Sequence, residues 1–158
     1  MSKDKLRISN RSMEQESGRM NREILFKAKR LDNSEWVEGY YLNIAKINHF
    51  ICTGKIKLDG ALKGIIAPEM YAIDPDTLCQ YTGLTDKNGE KIWENDILRR
   101  DGYWDIRIEF ENGAFMVRNA DKVQYINRVA CTPISTFDIK AYEVIGNIFD
   151  NADLLEVK

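Results

Sequence analysis

The chain has 158 residues, of which 44% are hydrophobic and 30% are charged. This composition is normal for a folded domain and excludes a chain that is disordered throughout. No stretch approaches the roughly 20 apolar residues that a membrane-spanning helix needs. Residues 1–19 hold five Lys or Arg and three Asp or Glu, a net charge of +2, and the rest of the chain carries −4. That balance disfavours non-specific nucleic-acid binding by the folded part, because such binding needs clustered cations.

The cysteines and the N-terminus together indicate the cell compartment. Cys52, Cys79 and Cys131 are an odd number, lie far apart and form no CxxC pair. The first 19 residues carry positive charge but have no apolar core and no small-residue cleavage site, so they do not resemble a secretory signal. Free, buried thiols are the expected state in a chain that is not exported. We therefore predict a cytoplasmic protein.

The domain organisation follows from where hydrophobic periodicity begins. Residues 1–19 lack periodicity, and we predict a flexible N-terminal arm there. Residues 20–158 are predicted to form one β domain, and their number also allows two packed subdomains at about 20–80 and 81–158.

The first half of the folded part predicts short strands separated by turns. Segments rich in β-branched and aromatic residues cover 23–29, 35–42, 45–53, 55–58, 70–73 and 81–84. Residues 32–34 and Asn88–Gly89 predict turns, because Asn, Asp and Gly tolerate the required backbone conformations. Asp74 and Pro75 predict a single helical turn through Leu78, with Asp74 as its cap.

Residues 103–118 give the clearest local pattern. Apolar side chains at Trp104, Ile106, Ile108 and Phe110 alternate with charged ones, and the loop Asn112–Gly113 follows. Period two with an Asn-Gly pair predicts a hairpin. In that register Phe110 faces Phe115 and Ile108 faces Val117, so the apolar faces match. We expect Trp104 to belong to the core and Tyr103 to be exposed.

The remaining elements complete a mainly β fold. Strands are predicted at 122–129 and 142–148, the second with a bulge at Gly146, and a short helical turn at 150–155. Many short strands with a turn roughly every ten residues predict antiparallel barrels or a sandwich with one or two short helical turns.

Three blocks resemble the YopX-like family of phage and prophage proteins. They are residues 22–39, residues 73–97 with the sequence IDPDTLCQYTGLTDKNGEKIWENDI, and residues 142–151 with the sequence YEVIGNIFDN. The resemblance covers about residues 21–155. It implies a mainly β fold of barrel-like subdomains, a phage or prophage origin and a bacterial host cell, and it implies no catalytic residues. Cys79 and Asn95 stand where the family commonly has Gly, and Asn95 can keep a turn because Asn tolerates positive φ.

The sequence contains candidate residues for three kinds of catalytic or metal chemistry, and each set also has a structural interpretation. His49, Cys52, Cys79 and Cys131 are the residues that could form a zinc site, but the sequence has only one tight ligand pair. Five carboxylates are the candidates for a magnesium-dependent hydrolase, namely Asp74, Asp76, Asp86, Glu94 and Asp96. Most of these Asp residues occupy positions where Asp favours turns. His49 is the single histidine, no nucleophile is placed near it, and no nucleotide-binding motif is present. We predict no enzyme activity, no metal and no cofactor.

Binding is the remaining class of function. Arg99, Arg100, Tyr103 and Arg107 combine cations with an aromatic ring, as single-stranded nucleic-acid binders on small β barrels do. A second such mixture comprises Lys27, Lys29, Arg30, Trp36, Tyr40 and Tyr41. The alternative is a surface that binds a protein of the host or the phage, with self-association of the chain as a further expectation. Protein binding is the leading hypothesis, nucleic-acid binding the second and metal-dependent hydrolysis the third.

Overall fold

The computed structural model describes residues 23–54, 69–120 and 132–155. The predicted arm at 1–19, the predicted strands at 55–58 and 122–129, and Cys131 lie outside the described residues. Regular structure in the described part consists of short strands, all paired antiparallel, and single helical turns. The predicted mainly β fold of short antiparallel strands is therefore confirmed.

The first sheet contains six strands. They are β1 (Phe26–Lys29), β2 (Trp36–Ile44), β3 (Asn48–Thr53), β4 (Glu69–Ala72), β5 (Cys79–Thr85) and β6 (Lys91–Trp93). Their order across the sheet is β4-β3-β2-β1-β5-β6. The hairpin of β1 and β2 closes through the predicted turn, and Ala28, Ile51 and Ile73 form the buried cluster beneath it.

The second sheet contains five strands and most of the core. They are β7 (Asp96–Arg99), β8 (Ile106–Glu111), β9 (Ala114–Asn119), β10 (Thr132–Pro133) and β11 (Glu143–Asn147), in the order β10-β9-β8-β7-β11. Leu98, Ile106, Ile108 and Val117 are buried there together with Ile92 of the first sheet. The predicted bulge in β11 is confirmed, because the pairing with β7 shifts between Val144 and Gly146.

The hairpin of β8 and β9 has the predicted register. Phe110 lies opposite Phe115 and Ile108 opposite Val117, and Asn112 and Gly113 have φ of 52° and 82°. The expectation that Trp104 belongs to the core is wrong, since its side chain is 63% exposed. Strand β8 begins only at Ile106, so Trp104 lies in the connection that precedes it and outside the alternating pattern of the strand.

The barrel-like closure implied by the family resemblance is absent from the described residues. The first sheet ends in β4 and β6, and the second ends in β10 and β11. Strands β4, β6 and β10 have four, three and two residues. Edge strands this short do not continue a hydrogen-bonded ladder around to the opposite edge.

The helical turns are more numerous than the predicted one or two. Single 3₁₀ turns cover Pro75–Thr77, Ile134–Thr136, Ile139–Ala141 and Ala152–Leu155. The first follows the predicted capping, since the backbone N–H of Asp76 donates to Asp74 Oδ1 at 3.1 Å. The two unpredicted turns bury Ile134 and Ile139 against the second sheet, so tertiary packing rather than local sequence stabilises them.

A buried ion pair joins the two sheets. Lys27 Nζ of β1 donates to Asp96 Oδ1 at the start of β7 at 2.8 Å, and Asp96 Oδ2 accepts from the backbone N–H of Trp93. The Lys27 ammonium also lies 5.1 Å and 5.4 Å from the rings of Trp36 and Trp93. A charge this deep is tolerated only where it is paired and hydrogen-bonded, and both conditions are met.

Asn95 holds the connection between the sheets. It has φ of 67°, as expected where the family commonly has Gly. Its backbone N–H donates to Ile108 O at 2.7 Å, and its carbonyl accepts from Ile148 N at 3.1 Å. Cys79 is the first residue of β5 and does not have a positive φ, so its position requires no glycine.

Asp150 forms a second link between the sheets. Its carboxylate accepts from Lys29 Nζ at 2.5 Å, from Trp36 Nε1 at 2.6 Å and from Asn147 Nδ2 at 3.0 Å. The hydrogen bond from Lys29, with those from Asn147 and Trp36, lowers the pKa of Asp150 to about 2 although partial burial opposes the shift.

The low pKa of Asp150 predicts a pH-dependent contribution to stability. We expect Asp150→Asn to lower the free energy of unfolding by about 1 kcal/mol near neutral pH. The expected loss is small because the carboxylate is partly solvated, which weakens its pairing with Lys29. Because the folded pKa is depressed, this contribution is complete above about pH 4 and is lost as the pH falls toward about 2. Urea unfolding of the parent chain and of Asp150→Asn, at pH values from neutral down to about 2, measures the difference between their free energies of unfolding.

The matched control for that experiment is Asp153→Asn, which removes the same charge from an exposed position in the following turn. We expect it to change the free energy of unfolding little at any pH. A difference between the Asp150 variant and the parent chain that stayed constant on acidification would contradict the assignment.

Candidate binding surface at the β7–β8 turn

The connection between β7 and β8 is a tight turn that exposes two aromatic side chains. The backbone N–H of Tyr103 donates to Arg100 O at 3.0 Å, and Gly102 between them has φ of 78°. Asp-Gly at the centre of a β-turn is the expected chemistry for that positive φ. Tyr103 is 60% exposed and its neighbour Trp104 is 63% exposed. Adjacent exposure of two large aromatic rings is unusual on a surface, where apolar side chains are normally scattered.

The arginines around this turn are neutralised within the chain. Arg99 Nε and Nη2 donate to the two oxygens of Asp105 at 2.9 Å and 2.6 Å, a bidentate pair. The guanidinium of Arg100 lies 4.3 Å from the centre of the Tyr103 ring and 3.5 Å from Asp138 Oδ2. The hydrogen bond that Arg99 donates to Asp105 raises the pKa of Arg99 above its ordinary value. The turn therefore presents aromatic surface with its charge compensated.

Arg107 lies farther along β8, away from the two rings. It pairs with Glu109, and Glu109 also pairs with Arg118 of β9 at 2.5 Å. The four residues predicted as a nucleic-acid site are thus only partly brought together. Arg99, Arg100 and Tyr103 share the turn, whereas Arg107 belongs to a row of ion pairs on the β8–β9 hairpin. We define the turn surface as Arg99, Arg100, Tyr103 and Trp104.

The second predicted mixture of cations and aromatics does not form one surface. Lys27, Lys29 and Trp36 are committed to the two links between the sheets. Arg30 pairs with Asp32 and stacks 4.2 Å from the Tyr71 ring. Their polar groups serve the fold, so these side chains offer no cationic track for a nucleic-acid backbone.

The predicted zinc ligands that can be compared lie in different environments. His49 Nδ1 is 2.6 Å from the hydroxyl of Tyr41, with the two rings stacked. Cys79 is buried and its thiol donates to Thr77 O at 3.4 Å. Within residues 23–54, 69–120 and 132–155, no group of three or more His, Cys, Asp or Glu side chains is placed to hold a metal ion.

The five candidate carboxylates of a hydrolase have structural partners or separate positions. Asp74 caps a helical turn, and Asp86 accepts three backbone N–H groups. Asp96 forms the ion pair with Lys27, and burial raises its pKa despite that partner. Glu94 is half-buried, with its pKa raised chiefly by burial. In the described part of the chain these carboxylates belong to no group of three or more side chains that could hold a metal ion.

The two described thiols are expected to react at different rates. Burial raises the pKa of Cys79 to about 11, which leaves almost no thiolate near neutral pH. Cys52 is only half-buried, so we predict that a maleimide labels Cys52 at least about tenfold faster than Cys79 in the native protein. Peptide mass spectrometry after timed labelling measures both rates, and equal labelling in urea is the control. Equal rates in the native state would contradict this prediction.

Sequence reasoning assigned Trp104 to the core and therefore left it out of the predicted binding residues. Its place in the alternating pattern with Ile106 and Ile108 indicated a core position, and the Asp-Gly pair two residues upstream was the signal that the strand had not yet begun.

None of the helical turns in residues 23–54, 69–120 and 132–155 has the length and apolar character that a membrane-spanning helix requires.

Two open antiparallel sheets, joined by two ion pairs and short turns, define a mainly β protein with an aromatic turn surface. The family model described as YopX protein matches residues 25–156. The chain belongs to the YopX family. The crystal structure of protein EF1440 from Enterococcus faecalis is similar to this chain, with 25% sequence identity, coverage of 85% of this chain and 99% of that chain, and a TM-score of 0.48. No curated protein matches the sequence.

Proposed function

We propose that this chain is a phage or prophage accessory protein that acts in the bacterial cytoplasm by binding a protein of the host or the phage, without enzymatic activity. The observation that carries the proposal is the turn surface, where Tyr103 and Trp104 are exposed side by side. Trp, Tyr and Arg are the residue types that dominate binding energy at protein interfaces. Family membership supports the phage context.

The charges of the turn surface favour a protein partner over a nucleic acid. Arg99 is held by Asp105, and Arg100 lies between Tyr103 and Asp138. A nucleic-acid backbone would have to displace these carboxylates, because affinity for phosphates comes from cations free to neutralise them. A protein surface can instead cover the two rings and leave the ion pairs at the rim, where they favour specificity.

Affinity capture with matched variants tests the proposal. The full chain is immobilised and exposed to nuclease-treated lysate of a bacterial host, beside the double variant Tyr103→Ala with Trp104→Ala. Both side chains are exposed, so the variant is expected to fold. Loss of two interface anchors should weaken binding of the captured protein about 30-fold or more. The control is Ile24→Ala, an exposed apolar side chain at the start of the described residues. Equal capture by the double variant would refute the role of the turn surface.

Nucleic-acid binding is the second candidate, because exposed aromatic rings beside Arg100 also suit base stacking. It predicts that a labelled single-stranded oligonucleotide binds the chain, that affinity falls with salt, and that simultaneous replacement of Arg99, Arg100 and Arg107 by Ala abolishes binding. Fluorescence anisotropy measures this directly. Unchanged affinity in the triple variant would remove these arginines from the nucleic-acid hypothesis.

A further inference from the structure

The tip of the β8–β9 hairpin combines a reactive sequence with a backbone that nothing holds. Asn112 and Gly113 form the loop, and both residues are exposed. An asparagine followed by glycine loses ammonia most readily, because a residue without a Cβ lets its backbone nitrogen approach the asparagine side chain. Within the part of the chain that the structure describes, no hydrogen bond engages the Gly113 N–H or the side-chain amide of Asn112. The nitrogen that would attack and the carbon that it would attack are therefore both unprotected.

The other Asn-Gly pair of the chain, Asn88–Gly89, is exposed as well but is held in place. The Gly89 N–H, which is the group that would attack, donates to Asp86 O at 3.2 Å. The backbone N–H of Asn88 donates to Asp86 Oδ1 at 2.7 Å. The two pairs have the same reactive sequence, so their hydrogen bonding is what distinguishes them.

Asn33–Ser34 is the next most reactive sequence among the described turns, since serine is a small and polar successor. The side chain of Asn33 is engaged through both of its polar atoms, because Nδ2 donates to Glu35 Oε2 at 2.7 Å and Oδ1 accepts from Glu35 N at 3.0 Å. The Ser34 N–H donates to Arg30 O at 3.0 Å. Protection is therefore at least as complete here as at Asn88.

We propose that Asn112 is a modification site, the first of these three asparagines to deamidate. The Gly113 nitrogen gives its proton to a base in solution and attacks Asn112 Cγ, which forms a C–N bond and closes a cyclic imide. The bond between Cγ and Nδ2 breaks, and Nδ2 leaves as ammonia with a proton from water. Water then opens the ring at either carbonyl, which yields aspartate or isoaspartate. The reaction needs only water and involves no oxidation or reduction.

Both products alter the hairpin. Each places a new carboxylate beside Glu111, which already pairs with Arg118. Isoaspartate also adds a carbon atom to the main chain of a loop that has only two residues, with φ of 52° and 82°. Turn type and loop length determine the register of a hairpin. We therefore expect isoaspartate to weaken the pairing of β8 with β9. This site lies at the opposite end of β8 from the turn surface and does not depend on the proposed function.

Timed incubation of the full chain tests the assignment. The native protein is kept in mildly alkaline buffer at physiological temperature, quenched with acid and digested, and the peptides that contain Asn33, Asn88 and Asn112 are quantified by mass spectrometry. We expect Asn112 to convert at least about tenfold faster than Asn88, because the Gly89 hydrogen bond must open before its nitrogen can attack. Equal conversion at both sites, or faster conversion at Asn88, would overturn the proposal.

Two controls accompany that measurement. In urea the protection of Asn88 is lost, so the two Asn-Gly pairs should convert at similar rates. Conversion of Asn112 in urea but not in the native protein would also refute the proposal. The matched variant is Asn112→Gln, whose longer side chain would have to close a larger and less favourable ring. We expect no conversion at position 112 of this variant over the same period, with the rate at Asn88 unchanged.

Separation of the aged protein by anion exchange tests the effect on the hairpin. We expect the isoaspartate form to unfold at a lower urea concentration than Asn112→Asp, which carries the same charge on a main chain of normal length. Equal unfolding midpoints for these two proteins would contradict the argument from loop length.

Discussion

Asp86→Ala is expected to lower the free energy of unfolding by about 3 kcal/mol, because a buried backbone N–H left without a partner costs about 1 kcal/mol or more. The Asp86 carboxylate accepts from the backbone N–H of Asn88 at 2.7 Å, Glu90 at 2.9 Å and Val144 at 3.0 Å. The first two bonds close the turn before β6. The third covers the free edge of β11, so one side chain ties the two sheets together.

The pKa of Asp86 supports this role. Burial alone would raise it, but the backbone N–H groups of Val144, Glu90, Asn88 and Gly89 together lower it below the ordinary value. A depressed folded pKa means that the stabilisation is complete above the ordinary carboxyl range and is lost as the pH falls through the folded value. Urea unfolding near neutral pH and at acid pH should therefore show that the difference in the free energy of unfolding between the parent chain and Asp86→Ala becomes smaller on acidification.

Asp86→Asn is the matched comparison. The amide keeps one acceptor oxygen for Asn88 and Glu90 but turns donors toward Val144, so we expect an intermediate loss of stability. A change below about 0.5 kcal/mol for Asp86→Ala, typical of surface substitutions, would show that water replaces the carboxylate fully and would contradict the account.

Gly39→Ala is expected to destabilise the fold by about 3 kcal/mol or to prevent folding, because an overpacked strand must shift its backbone. A Cβ on Gly39 would lie 2.2 Å from Cys52 O and 3.0 Å from Ile51 Cγ2. The carbonyl belongs to β3, so relief requires separating β2 from β3.

Gly83→Ala provides the control for that substitution. Gly83 has φ of 84° and nothing within 4 Å of the added Cβ, so only backbone strain of about 1 kcal/mol is expected. Thermal and urea unfolding of both variants measure the contrast. Equal effects of the two substitutions would contradict a steric role for Gly39.

The local β structure could be predicted where the turn chemistry was explicit. Alternation before Asn112–Gly113 determined the β8–β9 register, because a slip by one residue would have placed Ile108 on the polar side. The capped turn after Asp74 and the left-handed backbone at Asn95 were likewise predictable, since both depend on properties of single residue types.

The links between the sheets could not be predicted from the sequence. Lys27 and Asp96 are 69 positions apart, and Lys29 and Asp150 are 121 apart, with nothing local to pair them. The same limitation affected the predicted binding residues. Arg99 looked like a free cation, but its partner Asp105 becomes its neighbour only because the chain turns back between β7 and β8. Arg107 pairs with Glu109, two residues along the same strand. Trp104 was misassigned because period-two alternation does not show where a strand begins.

The central claim is that the turn surface touches a protein partner, and site-specific photo-cross-linking tests it most directly. A photoreactive phenylalanine analogue placed at position 103 retains an aromatic ring and samples whatever covers Trp104, while the same analogue at position 24 is the exposed control. In nuclease-treated host lysate the account predicts one discrete protein cross-linked at position 103 and absent at position 24. Cross-linking to nucleic acid in untreated lysate, with no protein captured at position 103, would contradict it.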